Sequence, residues 1–558
     1  MHGLCFPSRP AALIGLAGLL LTSGSAATGM PGATVDGPAG TWAPTLRVSP
    51  LLIAEAAEVW SLIAAEQNPI WPGWNASDTP LLFYLPGEQD VLINHPRPPA
   101  GFVPYEGPLR FPSGPILVRD GPTLVEWDGQ NTARDINGVP TLVVADPLSN
   151  LRLRVRGLLE DPRPAAEKAG TLALSQLAVD PYEQLALVTH EAFHVFQRRA
   201  APDRSANEML LVHYPVLSVE NNVGFALEGA ALADALRSRD AALFRRAVLQ
   251  WLALRGERRS ALPAKAVEYE DGVEFGEGLA KYTEYRLFQV LEGRAPGPAL
   301  GWAQGFSGYG DLESRREDLV AQMVRHMRGE VAVNNDPYGA APLRMRLYFS
   351  GMAIGALLDR LSSGWKQSIL TGDSSLTSLM REAVHASAAE TRATLAEARR
   401  GADHAALVDA KTRLAHEGRA RIDSVLGGIE RGPGTAIVID YSALESPRVG
   451  MAFTPFGVLV VDPDRIIYTQ VPIQVSFPDG AEVAQTQPSP LLHDKKRRLV
   501  RFRLPRLLAA VEAPAATPPG GPAAALEQEL PGVRLRMPRA VVERTGEELR
   551  ILLQPKRE

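Results

Sequence analysis

Residues 181–200 read PYEQLALVTHEAFHVFQRRA, and the interpretation of the whole chain turns on them. Leu185, Val188, Ala192 and Val195 recur at helical spacing and form an apolar stripe, which predicts a buried helix. His190, Glu191 and His194 stand within it in the order His-Glu-x-x-His. Residues four apart lie on one helical face, one turn above each other, so imidazoles at His190 and His194 converge on a single cation. Glu191 is turned partly off that line and meets a water at the metal without ligating it. Zinc lowers the pKa of such a water towards 7, and the carboxylate takes its proton during attack on a carbonyl.

Two histidines do not complete a catalytic zinc site, which takes three protein ligands and keeps one position open. No third His follows in a His-x-x-Gly-x-x-His pattern, so a carboxylate from a later helix is needed. Spacing leaves two candidates. One is Glu228, in Ala226-Leu227-Glu228-Gly229-Ala230; the other is Glu277, in Gly276-Glu277-Gly278-Leu279-Ala280. Glu270, Glu274 and Glu277 share a helix face, and three carboxylates so placed repel unless a cation or arginines neutralise them.

Around this helix the texture of the chain changes twice. Pro50 to Gln67 has helical spacing, and from Pro69 to about Leu159 short apolar runs alternate with Pro, Gly and Asn, which predicts strands at 81–85, 91–93, 116–118 and 141–145. Trp71-Pro72-Gly73-Trp74 reads as local packing. From Leu172 to about Gly427 the pattern is helical, with clear segments at 181–199, 217–237, 241–254, 266–291 and 343–361. Thr391 to Arg421 is charged and Ala-rich, which predicts a solvated helical connector. After Gly432 short strands return, interrupted by a loop at 512–523. The resulting division is 46–170 strand-rich, 171–390 helical, 391–430 connector and 431–558 a C-terminal β domain.

The first 27 residues read as an export signal. Arg9 precedes an apolar run of 11 residues, Ala11 to Leu21, and Ser25-Ala26-Ala27 fits a small-x-small cleavage site. The run is too short for a span, which needs about 20 residues. Residues 28–45 form a loose leader. Cys5 is the only cysteine and lies inside the signal, so the mature chain carries no thiol and any metal site is built from His and carboxylates. The net charge of -5, with both signs mixed along the chain, excludes a nucleic-acid or anionic-membrane surface.

The segment Glu277-Gly278-Leu279-Ala280-Lys281-Tyr282-Thr283-Glu284, paired with His190-Glu191-x-x-His194, resembles the gluzincin metallopeptidases, especially their aminopeptidase-like branch. There the first Glu of an E-G-x-A-x-Y-x-E helix is the third ligand, which implies that role for Glu277 over Glu228. Tyr348-Phe349-Ser350-Gly351 resembles that branch's Tyr-x-x-Gly helix, whose Tyr donates a hydrogen bond to the oxyanion; this implies the same for Tyr348. The interval from His194 to Glu277 is longer than the family's, which implies a helical insertion at roughly 210–262. The branch's Gly-x-Met-Glu-Asn sequence, which holds a substrate's free amine, does not occur.

The resemblance implies an α+β fold: a zincin-like catalytic domain, strand-rich first and helical after, followed by a small all-β domain. It implies a zinc peptidase acting on a peptide or protein substrate, secreted or periplasmic, with no integral membrane span after signal cleavage. By analogy with zincins, residues 141–157 are expected to form the sheet edge that binds extended substrate. Two rivals are a catalytically silent zincin-like binding protein of the cell envelope, against which the intact Glu191 argues, and a metal-assisted hydrolase of some non-peptide bond.

Overall fold

The structure is a computed structural model. It describes residues 45–126, 128–129, 131–160, 180–204, 206–333, 339–401, 404–446, 448–470, 473–485, 487, 489–504, 522–530 and 532–555. The expected signal, nearly all of the leader and most of the 512–523 loop lie outside the described residues. The chain divides into two compact units, Met1–Val195 with Ala295–Gly308, and Phe196–Arg294 with Tyr309–Glu558. No described helix is long and apolar enough to cross a membrane.

The first unit opens with α1 (Pro50–Ile63), whose Ser49 hydroxyl accepts from the Leu52 N–H while Pro50 takes the first helical position. Its apolar face buries Leu52, Ile53, Ala56, Val59 and Trp60. Six strands follow: β1 (Leu81–Leu85), β2 (Gln89–Ile93), β3 (Val103–Pro104), β4 (Ile116–Asp120), β5 (Thr132–Ile136) and β6 (Val139–Ala145). They assemble in the order β3-β4-β2-β1-β6-β5, with β1 and β6 parallel and the other pairs antiparallel. Leu82, Tyr84, Leu92 and Val143 are fully buried in one core cluster, as central strands covered on a face require.

Two expectations fail in this unit. Residues 141–157 are not a sheet edge: β6 is interior, flanked by β1 and β5, and its backbone is already paired on both sides. The segment after it is helical, α2 (Pro147–Glu160), inside a region expected to be strands. Pro147 and the Asp146 side chain, which accepts from the Leu148 N–H at 2.8 Å, start that helix.

Glu55 lies on the buried side of α1, 3% exposed, and burial first, then the nearby Asp180 charge, raise its carboxyl from 4.5 to about 8. The folded chain therefore holds a proton that the unfolded chain releases above about pH 4.5. The stability this proton carries is full below that pH and is lost as pH rises through 8. Glu55→Gln should raise the melting temperature at pH 8 to 9, reflecting a stability gain on the order of 5 kcal/mol at about 1.4 per pKa unit, and leave it unchanged near pH 4. Thermal melts of both proteins across that range check this; parallel pH dependences would show that Glu55 is not the source.

The second unit carries α3 onward. Helix α3 (Pro181–Ala200) starts in the first unit and ends here. Then come a 3₁₀ turn (Glu208–His213), α4 (Val219–Arg237), α5 (Ala241–Ser260), α6 (Ala264–Val273), a π-helical turn (Glu274–Gly278) and α7 (Leu279–Leu291). The helical part closes with α8 (Glu313–Met327), α9 (Ala340–Leu361), α10 (Trp365–Thr371), α11 (Leu376–Val384), α12 (Ala388–Gly401) and α13 (His404–Arg431). An antiparallel-rich sheet of eleven described strands fills the C-terminal part. At its centre Thr435–Asp440 pairs antiparallel with Leu499–Leu504 and parallel with Glu548–Leu553. The expected solvated connector is only partly so. Within Thr391 to Arg421, Lys411 and Gly418 are buried, and just past it Ile422 and Ile429 of α13 are buried against Leu459, Val461, Ile467 and Leu492 of this sheet.

Candidate metal centre

Helix α3 begins with the signals its sequence carries. Asp180 accepts from the Tyr182 N–H at 2.9 Å, Pro181 holds the first helical position, and Arg198 and Arg199 complement the C-terminal dipole. Phe193, between the two histidines in sequence, packs against Trp71 at 4.9 Å and Trp74 at 5.2 Å between ring centroids. Both tryptophans are buried, so the Trp-Pro-Gly-Trp cluster is packing, and it fixes the rotation of α3 about its axis. With that rotation set, the His190 and His194 rings stand 4.8 Å apart and nearly perpendicular. His190 is buried, while His194 and Glu191 are half-buried.

The last turn of α3 is tied to the π turn. Gln197 Nε2 donates to the Phe275 carbonyl at 2.7 Å. The extra residue of a π turn re-aims side chains on one helix, and such turns recur at functional sites. Glu277 sits in this one. One donor atom each from His190, His194 and Glu277 lie within 4.8 Å of one another, and no other group of this kind occurs among the described residues. Ligands about 2 Å from one tetrahedral ion stand roughly 3.3 Å apart. Two imidazoles and one carboxylate, with no sulfur, suit zinc and leave a position open.

Glu228 is occupied elsewhere. It is fully buried and accepts from Arg255 Nε at 3.1 Å and Arg258 Nε at 2.5 Å. Arg255 also binds Glu274, Arg258 binds Glu270, and Arg259 reaches Glu270, Asp271 and Glu274. Three arginines of α5 thus neutralise the acidic face of α6 and the π turn. Burial alone would raise Glu270; the Arg258 and Arg259 charges reverse that and hold it far below the carboxylate range. At Glu270 and Glu274 the acidic face is therefore neither solvated nor free to hold a metal.

Backbone contact sets the approach of α9. A Cβ on Gly278 would lie 2.7 Å from Gly351 Cα, and one on Gly351 would lie 2.8 Å from the Glu274 carbonyl oxygen. Only glycine admits two helices this close. The approach brings Tyr348, one turn before Gly351, to Glu277, which it hydrogen-bonds. Burial and then the Glu277 charge raise the Tyr348 hydroxyl well above its ordinary value, so it stays a neutral donor.

Three residues here escaped the sequence reading. Arg344, one turn before Tyr348 and buried, donates to Glu277 Oε1 at 3.1 Å and also binds Glu208. Tyr269 in turn donates to Glu208 at 3.1 Å. Arg344 and Tyr348 are legible as one helix face, but nothing in the sequence announces that Glu208 and Tyr269 meet them. Arg344→Met should weaken zinc binding about 10- to 100-fold, the usual cost of losing a residue that orients a ligand. Competition against a chromophoric chelator reads this directly; unchanged zinc affinity in a folded variant would show that Arg344 does not orient Glu277.

Comparison of the chain with protein-family models, with curated proteins and with solved structures found no match.

Proposed function

We propose that the chain is a zinc-dependent peptidase of the gluzincin type, exported to the periplasm or medium and acting on a peptide or protein substrate. The observation that supports this most is the convergence of His190, His194 and Glu277 beside an intact Glu191. His190 and His194 would hold the ion through ring nitrogens and Glu277 through a carboxylate oxygen. When bound, zinc supplies a Lewis acid that acidifies water and polarises the scissile carbonyl. Glu191 accepts the proton of the attacking water and delivers it to the leaving amine. Tyr348, held protonated, has one O–H, which it gives to Glu277 in the resting chain and would turn to the oxyanion that develops on the carbonyl; donors to such an oxyanion contribute several kcal/mol to the transition state. Arg344 orients Glu277. The insertion with α4 and α5 supplies the arginines that neutralise the π turn.

Metal content of the purified chain, together with peptide-library cleavage before and after chelation, tests the proposal. One zinc per chain, loss of cleavage with chelator and its return with zinc are expected. A metal-free protein, tightly bound iron, or cleavage indifferent to chelation would each sink it.

A further inference from the structure

A cavity of about 690 Å³ opens among α4, α5, the end of α8 and α13. Its volume is in the range of small-molecule sites. The walls are mostly apolar and small: Ala226, Leu227 and Ala230 of α4, Leu254 of α5, and Leu407 and Leu414 of α13. Leu407, Ala410, Lys411 and Leu414 fall on one face of α13, so a lysine stands in the middle of an otherwise apolar stripe.

Lys411 is only 5% exposed and Arg346 only 6%. Both stand over Gly329, where a Cβ would lie 2.8 Å from Arg346 Nη2 and 3.6 Å from Lys411 Nζ. Neither forms an ion pair with a carboxylate among the described residues. Lys411 donates to the Arg328 carbonyl, and Arg346 donates to the His326 carbonyl and to Asn222. Lys411 lines the large cavity, and both residues line a second one of about 20 Å³, room for about one water. Burial, then the Arg346 charge, hold Lys411 down to about 8, and burial holds Arg346 down to about 10. The nearby Glu330 charge offsets this only in part and forms no ion pair with Lys411, so a buried lysine is left whose cost a bound anion lowers.

We propose that this cavity binds an aliphatic carboxylate, its head group paired with Lys411 and its chain laid along the alanine and leucine walls. Around the same cavity Asp234, Glu330 and Glu417 balance Arg328, Arg413 and Lys411, so a monoanion fits better than a multiply charged anion. The proposal does not draw on the peptidase reading.

Calorimetric titration of the full chain with decanoate tests it, with 1-decanol as the uncharged probe of the same length. One decanoate per chain is expected, bound at least about tenfold more weakly by Lys411→Met, as the loss of a charge-assisted bond implies. 1-Decanol should not distinguish the two proteins. Ala230→Trp, which fills the cavity, should abolish decanoate binding while circular dichroism shows a folded chain. No saturable decanoate binding by wild type, equal affinity in Lys411→Met, or retained binding in folded Ala230→Trp would each overturn the assignment.

Discussion

Glu191→Gln is expected to lower peptide cleavage by at least roughly two to three orders of magnitude, as loss of a general base does, with zinc content and fold nearly intact. The exchange is close to isosteric and removes only the ability to accept a proton. Glu191 is half-buried on α3, whose seat depends on Phe193 against Trp71 and Trp74, and the exchange touches none of these. Zinc stoichiometry and melting temperature should therefore match wild type, while kcat falls and KM changes little. Cleavage at the wild-type rate would show that another group takes the proton. Loss of zinc together with activity would mean that Glu191 is a ligand.

Glu277→Ala and Glu228→Ala should separate ligand from scaffold. Glu277→Ala leaves two imidazoles, which hold zinc poorly, so stoichiometric metal should be lost while the fold persists; Arg344 keeps Glu208 as a partner. Glu228→Ala should do the reverse. It removes a carboxylate shared by Arg255 and Arg258, both almost fully buried, at a cost of about 3 to 5 kcal/mol for a broken buried pair. Zinc should stay at one per folded chain while the denaturation midpoint drops. Elemental analysis beside urea melts of the two variants gives both readings. Metal loss in Glu228→Ala, at a temperature where it remains folded, would move the third ligand back to the α4 region.

Much of the secondary structure is local and so was legible. Apolar stripes at helical spacing marked α3, α4, α5 and α9 to within a few residues at most boundaries, because burying one face of a helix repeats every three to four positions. The strand at 81–85 coincides with its apolar run, and short strands do return after Gly432. The segment before α2 misled because Pro147 reads as punctuation in a strand-rich stretch, whereas Pro is equally at home at a helix start. The π turn was not legible at all. Its single extra residue leaves no periodic trace, yet it re-aims Glu277.

The sequence by itself determined the pairing of His190 with His194 and the place of Glu191, because a helix's 3.6-residue repeat brings residues four apart onto one face whatever surrounds them. It also named both candidate glutamates; spacing did not choose between them, and only the resemblance of the Glu277 segment to the gluzincins favoured Glu277. What each glutamate meets was decided only in the tertiary structure, where Arg255 and Arg258 engage Glu228 and the Gly278–Gly351 contact brings Tyr348 and Arg344 against Glu277. Ion pairing and close packing join residues far apart in the chain, and no local pattern encodes which partner a buried carboxylate will meet.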